Sequence, residues 1–249
     1  MTSLSTRTIV LLALATLTGC GQFGRRGVEN VSPSGAADVH YGLGRSLEAD
    51  GDLDRAMQAY RESIRRDARR ADAPLRLAIL LDRQGRFAES ALLYEAALKA
   101  SPGNAEVFCD RGYSLCLQGK DAEAEVALRQ AIAKRPDLAR AHNNLGLVLA
   151  RAGRVDDALN EFRKAGCPEA EARLNLAFGL GEAHRLDDAQ RQVAIARSLG
   201  RGASDPGIAA MDALLVKAES VKTADPAVGR AGWMPPTIPN ATSVPTASH

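Results

Sequence analysis

Apolar and small residues in the middle of the chain follow a helical rhythm that resets every 34 residues. Ala37, Ala71, Ala105 and Ala139 mark position one. Positions seven and eight are then Leu43-Gly44, Leu77-Ala78, Arg111-Gly112 and Leu145-Gly146, and position eleven is Leu47, Leu81, Leu115 and Leu149. Position twenty is Ala56, Ser90, Ala124 and Ala158; position twenty-four is Tyr60, Tyr94, Leu128 and Phe162. Position twenty-seven stays small, as Ser63, Ala97, Ala131 and Ala165. Small residues at eight, twenty and twenty-seven let two helices approach closely, and large ones at seven, eleven and twenty-four fill the space between them. Position fifteen is Gly51, Gly85, Gly119 and Gly153, where a turn must separate the helices. Pro102 and Pro136 end two of the units.

A fifth unit is out of phase. RLDDAQ at 185–190 echoes RVDDAL at 154–159 with a spacing of 31, and His184 stands where the turn glycine is due. The missing residues fall in AGCPEAEA, so the second helix of the fourth unit is expected to end early. The predicted units are 37–70, 71–104, 105–138, 139–169 and 170–203. Residues 204–222 predict a capping helix: Ser204 or Asp205 precedes Pro206, and Ile208, Met211, Leu214, Leu215 and Val216 are apolar. Residues 223–249 hold five prolines and no period, which predicts a disordered tail.

This pattern resembles the tetratricopeptide repeat. The resemblance implies an all-α superhelix of about five helix-turn-helix units, in which no hairpin buries its apolar face alone. It also implies a concave groove lined by positions two, five, nine, twelve and thirteen of each first helix. Position five is Tyr41, Leu75, Cys109, Asn143 and Leu174; position nine is Arg45, Ile79, Tyr113, Leu147 and Phe178. The groove centre is therefore mainly apolar and suits an apolar or amphipathic peptide. Asn144 and Asn175, at position six, resemble asparagines that hold a ligand backbone, since an amide both donates and accepts. The Lys, Arg and Asn set of a carboxylate clamp is missing. Residues 206–220 could instead fold back into the groove.

The N-terminus predicts a different element. Arg7 and the free amine precede the apolar run IVLLALATL, which is too short to span a membrane. Leu17-Thr18-Gly19-Cys20 follows and resembles a bacterial lipobox. The resemblance implies a signal peptide at 1–19, a covalent lipid on Cys20 and a flexible tether at 20–36. Acyl chains add about 0.8 kcal/mol of membrane affinity per buried methylene, enough to hold the chain at a membrane. Gly21 follows the cysteine, which by the enteric sorting rule implies the outer membrane, with the repeats in the periplasm.

Composition excludes more than it adds. The 32 Lys and Arg nearly balance 30 Asp and Glu, so no global field draws nucleic acid. The four histidines are dispersed, and no metal, cofactor or small-molecule substrate is expected. No catalytic constellation is present, and no enzyme is expected. RRDARR at 65–70 is basic and sits at a helix end, where it complements the helix dipole. Cys109 and Cys116 are seven apart on one helix, about 10 Å along its axis. That exceeds the roughly 7 Å between Cα atoms that a disulfide allows, so they read as small groove lining beside Tyr113.

The combination of lipobox, repeats and short tail resembles the TadD-like assembly lipoproteins of the Tad (Flp) pilus. The stretch AHNNLGLVLARAGRVDDALNEFRKAGCPEAEARLNLAFGLGEAHRLDDA carries the likeness. It implies a membrane-anchored adaptor for a protein partner, a secretin or other pilus-assembly component. A type IV pilus pilotin, an envelope-biogenesis scaffold and a periplasmic thiol protein using Cys109 and Cys116 are the alternatives.

Overall fold

A computed structural model describes residues 32–200 and 205–224. The predicted signal peptide, Cys20, most of the predicted tether and nearly all of the Pro-rich tail lie outside those residues. Among the described residues there are eleven α-helices and no strand. They are α1 Pro33–Ala49, α2 Leu53–Arg66, α3 Asp72–Arg83, α4 Phe87–Ala100, α5 Ala105–Leu117, α6 Asp121–Lys134, α7 Ala139–Arg151, α8 Val155–Lys164, α9 Glu169–Glu182, α10 Leu186–Ser198 and α11 Pro206–Ala224. The all-α repeat predicted from the 34-residue pattern is what forms. The first helix begins four residues before the position-one alanine, because Ser32 caps it: its Oγ accepts from the Gly35 amide at 3.0 Å.

Two compact units divide between Gln118 and Gly119, inside the third predicted repeat. The first holds α1–α5. There α1 packs on α2, α2 on α3, α3 on α4, and α5 on both α3 and α4. One cluster gathers Met57, Tyr60, Leu77, Leu80 and Leu81; a second joins Ala78, Tyr94, Ala97 and Val107. Gly44 is small for a reason: a Cβ there would meet the Tyr60 ring at 2.6 Å.

The second unit holds α6–α11. Its equivalent contact is Gly146, whose added Cβ would meet the Phe162 ring at 2.5 Å. The early helix end is real: α8 has 10 residues against 14 in α6, and Gly166 leaves it with a φ of 83°. His184 adopts a φ of 58°, the backbone that glycine takes at the other four turns. α11 packs against α9 and α10, capped by Asp205, whose Oδ1 accepts from the Gly207 amide at 2.8 Å. Ile208, Met211 and Leu215 are buried, whereas Val216 is exposed. The helix continues two residues past its predicted end, to Ala224.

Candidate functional site

The first helices carry the predicted groove residues, and the two units treat them differently. In the first unit these helices are α1, α3 and α5. Tyr113 is 44% exposed, and Leu117 one turn further on is 39% exposed. Leu75 and Ile79 are half-buried, and Arg45 is exposed with no ion pair among the described residues. Tyr41 is partly structural. Its ring lies 5.8 Å from that of Tyr60, and the Arg70 guanidinium stacks 5.1 Å over it. Cys109 departs from the expectation. It is wholly buried, on a helix that packs against both α3 and α4. The accessible surface is therefore Arg45, Leu75, Ile79, Tyr113 and Leu117.

Carboxylates at position twelve brace this face from within. Glu48 accepts from the Tyr60 hydroxyl at 2.9 Å and from Arg76 Nε at 3.2 Å. Burial opposes its charge, but Arg76 and Tyr60 outweigh that and hold Glu48 below the ordinary carboxylate range. Burial, reinforced by Glu48, pushes Tyr60 up to about 12. Asp82 is buried and accepts from three hydroxyls: Tyr94 at 2.7 Å, Ser114 at 2.9 Å, and Ser90. Burial and then Asp82 raise the Tyr94 phenol strongly. These ties join α1 to α2 and α3, and α3 to α4 and α5.

In the second unit the first helices are α7 and α9, and most of the predicted residues are closed off. Leu174, Asn175 and Phe178 are all under 9% exposed. α9 is enclosed by α7, α8, α10 and α11. A Cβ on Gly179 would meet Ala150 Cβ at 2.5 Å, and one on Gly181 would lie 3.7 Å from Leu215. The capping helix thus takes the place beside α9 that a further repeat would occupy. Asn175 is buried, and its Nδ2 donates to Asn143 Oδ1 at 3.3 Å and lies 3.8 Å from Cys167 Sγ. Asn144 and Leu147 are half-buried. Arg151 ties α6 and α9 to α7 through Asp121 (Nε to Oδ2, 3.1 Å) and Glu182 (3.1 Å).

Neither the cysteines nor the basic run gathers reactive chemistry. Cys109 is buried, Cys116 and Cys167 are half-buried, and burial raises the Cys167 thiol. In RRDARR, Arg65 and Arg66 pair with Glu62, Arg69 with Asp67, and Arg70 with Asp38 and Asp72. The repeat register counted Leu117 and the position-twelve residues Glu48 and Asp82 as groove positions without singling them out, and it missed the bracing role of those carboxylates and a buried His142–Glu161 pair in the second unit. Among the described residues no cluster of three metal-ligating side chains occurs, and no helix is long and apolar enough to cross a membrane.

Comparison with known proteins agrees with this architecture. Tetratricopeptide-repeat family profiles match residues 25–74, 41–105, 75–128 and 112–153, which together span just over half of the chain. The chain belongs to the tetratricopeptide-repeat family. Such repeats bind protein partners. Two curated Arabidopsis thaliana proteins are similar. The TPR repeat-containing thioredoxin TTL4 is 28% identical over 133 residues, covering 53% of this chain, and the inactive TPR repeat-containing thioredoxin TTL3 is 32% identical over 88 residues, covering 35%. The matches span only 19% and 13% of those proteins. Among solved structures, Pseudomonas aeruginosa pilF is similar with a TM-score of 0.56 and 23% identity, covering 77% of this chain and 86% of that one. PilW, a widely conserved type IV pilus biogenesis factor, gives 0.56 and 19%, covering 76% and 93%. YrrB, a TPR protein with an unusual peptide-binding site, gives 0.54 and 20%, covering 74% and 92%. At these identities the likeness is one of fold.

Proposed function

We propose that this tetratricopeptide-repeat protein is a lipid-anchored adaptor of the bacterial envelope, without catalytic activity, that helps assemble a Tad (Flp) pilus or its outer-membrane secretin. It binds an apolar segment of its partner on the first-helix face of α1, α3 and α5. The carrying observation is the accessible set on that face: exposed Tyr113 and Leu117 beside half-buried Leu75 and Ile79, braced from beneath by the Asp82 hydroxyl cradle. The lipobox at Leu17–Cys20 supports the anchor, and the fold shared with PilW supports a role in pilus assembly. That same likeness favours a type IV pilotin as the second reading.

Two variants test the proposal in cells. Tyr113→Ala with Leu117→Ala should reduce secretin multimers and piliation while the protein keeps its thermal midpoint. Cys20→Ser should release the protein from the membrane fraction and give the same defect. Normal multimers and normal piliation in both would refute the role. Loss of type IV pili with intact Flp pili would select the pilotin reading.

A further inference from the structure

An apolar concavity lies on the other side of the first unit, between the second helices α2 and α4. It encloses about 790 Å³, with Leu77 and Leu81 of α3 among the residues lining it. Those two are almost wholly buried and form the floor; Ile64 and Leu93 line the walls half-buried. Leu92 stands 67% exposed at its edge. The flanking helices have 14 residues each, about 21 Å, which matches four turns of a docked helix.

The corresponding groove of the second unit, between α6 and α8, shows how this frame closes such a space. It encloses about 240 Å³. His142 of α7 ties its floor to the α8 wall through Glu161, 2.6 Å away, with Lys164 on the same carboxylate at 2.8 Å. The first unit has Pro74 and Leu93 at those positions, so no polar tie forms and the trough stays open and apolar.

The rim charge selects the occupant. Arg61 has no ion pair among the described residues, and Arg65 is 74% exposed, held only by Glu62 on its own helix. Glu89 is the only acid among the lining residues, and Arg86 holds it at 2.7 Å. We propose that the groove between α2 and α4 docks an acidic amphipathic helix of a protein partner. Leucine-type side chains at i, i+3, i+4 and i+7 fill the trough, and carboxylates on the flank meet Arg61 and Arg65. A second copy of this chain would bring the same basic rim into the interface, and like charges facing each other disfavour it.

The test uses the full chain and a displayed library of helical peptides. Each peptide carries Leu, Ile or Phe at the four anchor positions and Glu, Lys or Ser elsewhere. Selection on the wild type with counter-selection on Leu92→Glu isolates peptides that need the groove. Leu92 is exposed, so the variant should unfold at the wild-type midpoint. The expected pool is rich in Glu and poor in Lys, and its members lose about tenfold or more in affinity for Leu92→Glu and for Arg61→Glu. Val126→Glu, at the matching position of the third repeat, should change nothing, although Val126 is 59% exposed. The proposal is overturned if no groove-dependent pool emerges, or if that pool is neutral or Lys-rich. Arg61-dependent sedimentation with phosphatidylglycerol vesicles, without such a pool, would assign the rim to a lipid surface and overturn it equally.

Discussion

The two units solve one packing problem from opposite sides. In the first, acids at position twelve meet tyrosines at position twenty-four, Glu48 with Tyr60 and Asp82 with Tyr94. The polar tie lies toward the first-helix face, and the groove between second helices stays apolar and open. In the second unit, position twelve of α7 is Ala150 and position twenty-four of α8 is Phe162. No hydroxyl needs a partner there, and the tie moves to the other groove as His142–Glu161. A buried polar group forces its neighbours to complete it. Where the tie sits therefore decides whether the groove between second helices is narrowed, as in the second unit, or left open and apolar, as in the first.

The strongest break of that contrast is His142→Leu. His142 and Glu161 are 5% and 12% exposed, and the imidazole also meets the Pro136 carbonyl at 2.7 Å. Removing one partner leaves a buried carboxylate with Lys164 alone, and a loss of about 3 kcal/mol in urea unfolding is expected. The double change His142→Leu with Glu161→Leu should cost less than the single one. A double variant that is equally unstable would show that packing, not charge, carries the site. The acid limb offers a second readout. Burial pushes Glu161 up, but Lys164 and His142 outweigh it and leave the carboxyl below 4.5. A depressed folded value means that stability is fully present above 4.5 and is lost as pH falls through the folded value. The double variant should have a flatter stability profile below 4.5 than the wild type.

In the first unit the matching break is Asp82→Leu. It strands the hydroxyls of Ser90, Tyr94 and Ser114 together, and about 2 kcal/mol of destabilisation is expected. Tyr94→Phe removes one donor from an acceptor that keeps two, so roughly 1 kcal/mol is expected. Equal effects of the two changes would mean that the Tyr94 bond carries the whole cradle and that the two serine hydroxyls add nothing of their own.

Much of this could be read from the chain alone. The period located the hairpins, and Gly44 and Gly146 at position eight implied the close approach that the Tyr60 and Phe162 rings make. The acid–tyrosine tie was also legible, though it escaped notice. The two repeats with tyrosine at twenty-four have an acid at twelve, and the two with leucine or phenylalanine have cysteine or alanine. What the repeat frame could not supply was exposure. Cys109 and Tyr113 are both groove positions by register, yet one is sealed and the other open. Asn175 carries the right amide, but α9 is enclosed and Asn143 takes its donor. Burial depends on which helices neighbour a position, and register does not carry that information. The groove between α2 and α4 was missed for the same reason. Leu92 is apolar like its neighbours, and only the missing His–Glu pair distinguishes its surroundings.

The gentlest perturbation makes the first unit resemble the second at one atom. Tyr60→Phe reproduces the ring of Phe162 and deletes only the hydroxyl that donates to Glu48. Glu48 keeps Arg76, so the stability change should stay near or below about 1 kcal/mol. The informative readout is ultraviolet titration of the phenols. Burial and the bond to Glu48 raise Tyr60 to about 12, because ionisation would place a phenolate beside a carboxylate. The absorbance lost in Tyr60→Phe should therefore come from the high end of the curve, near 12. If it comes instead from the range of ordinary phenols, about 10, the tie to Glu48 is not formed in solution. The polar brace would then be confined to Asp82, and the contrast between the units would shrink from two repeats to one.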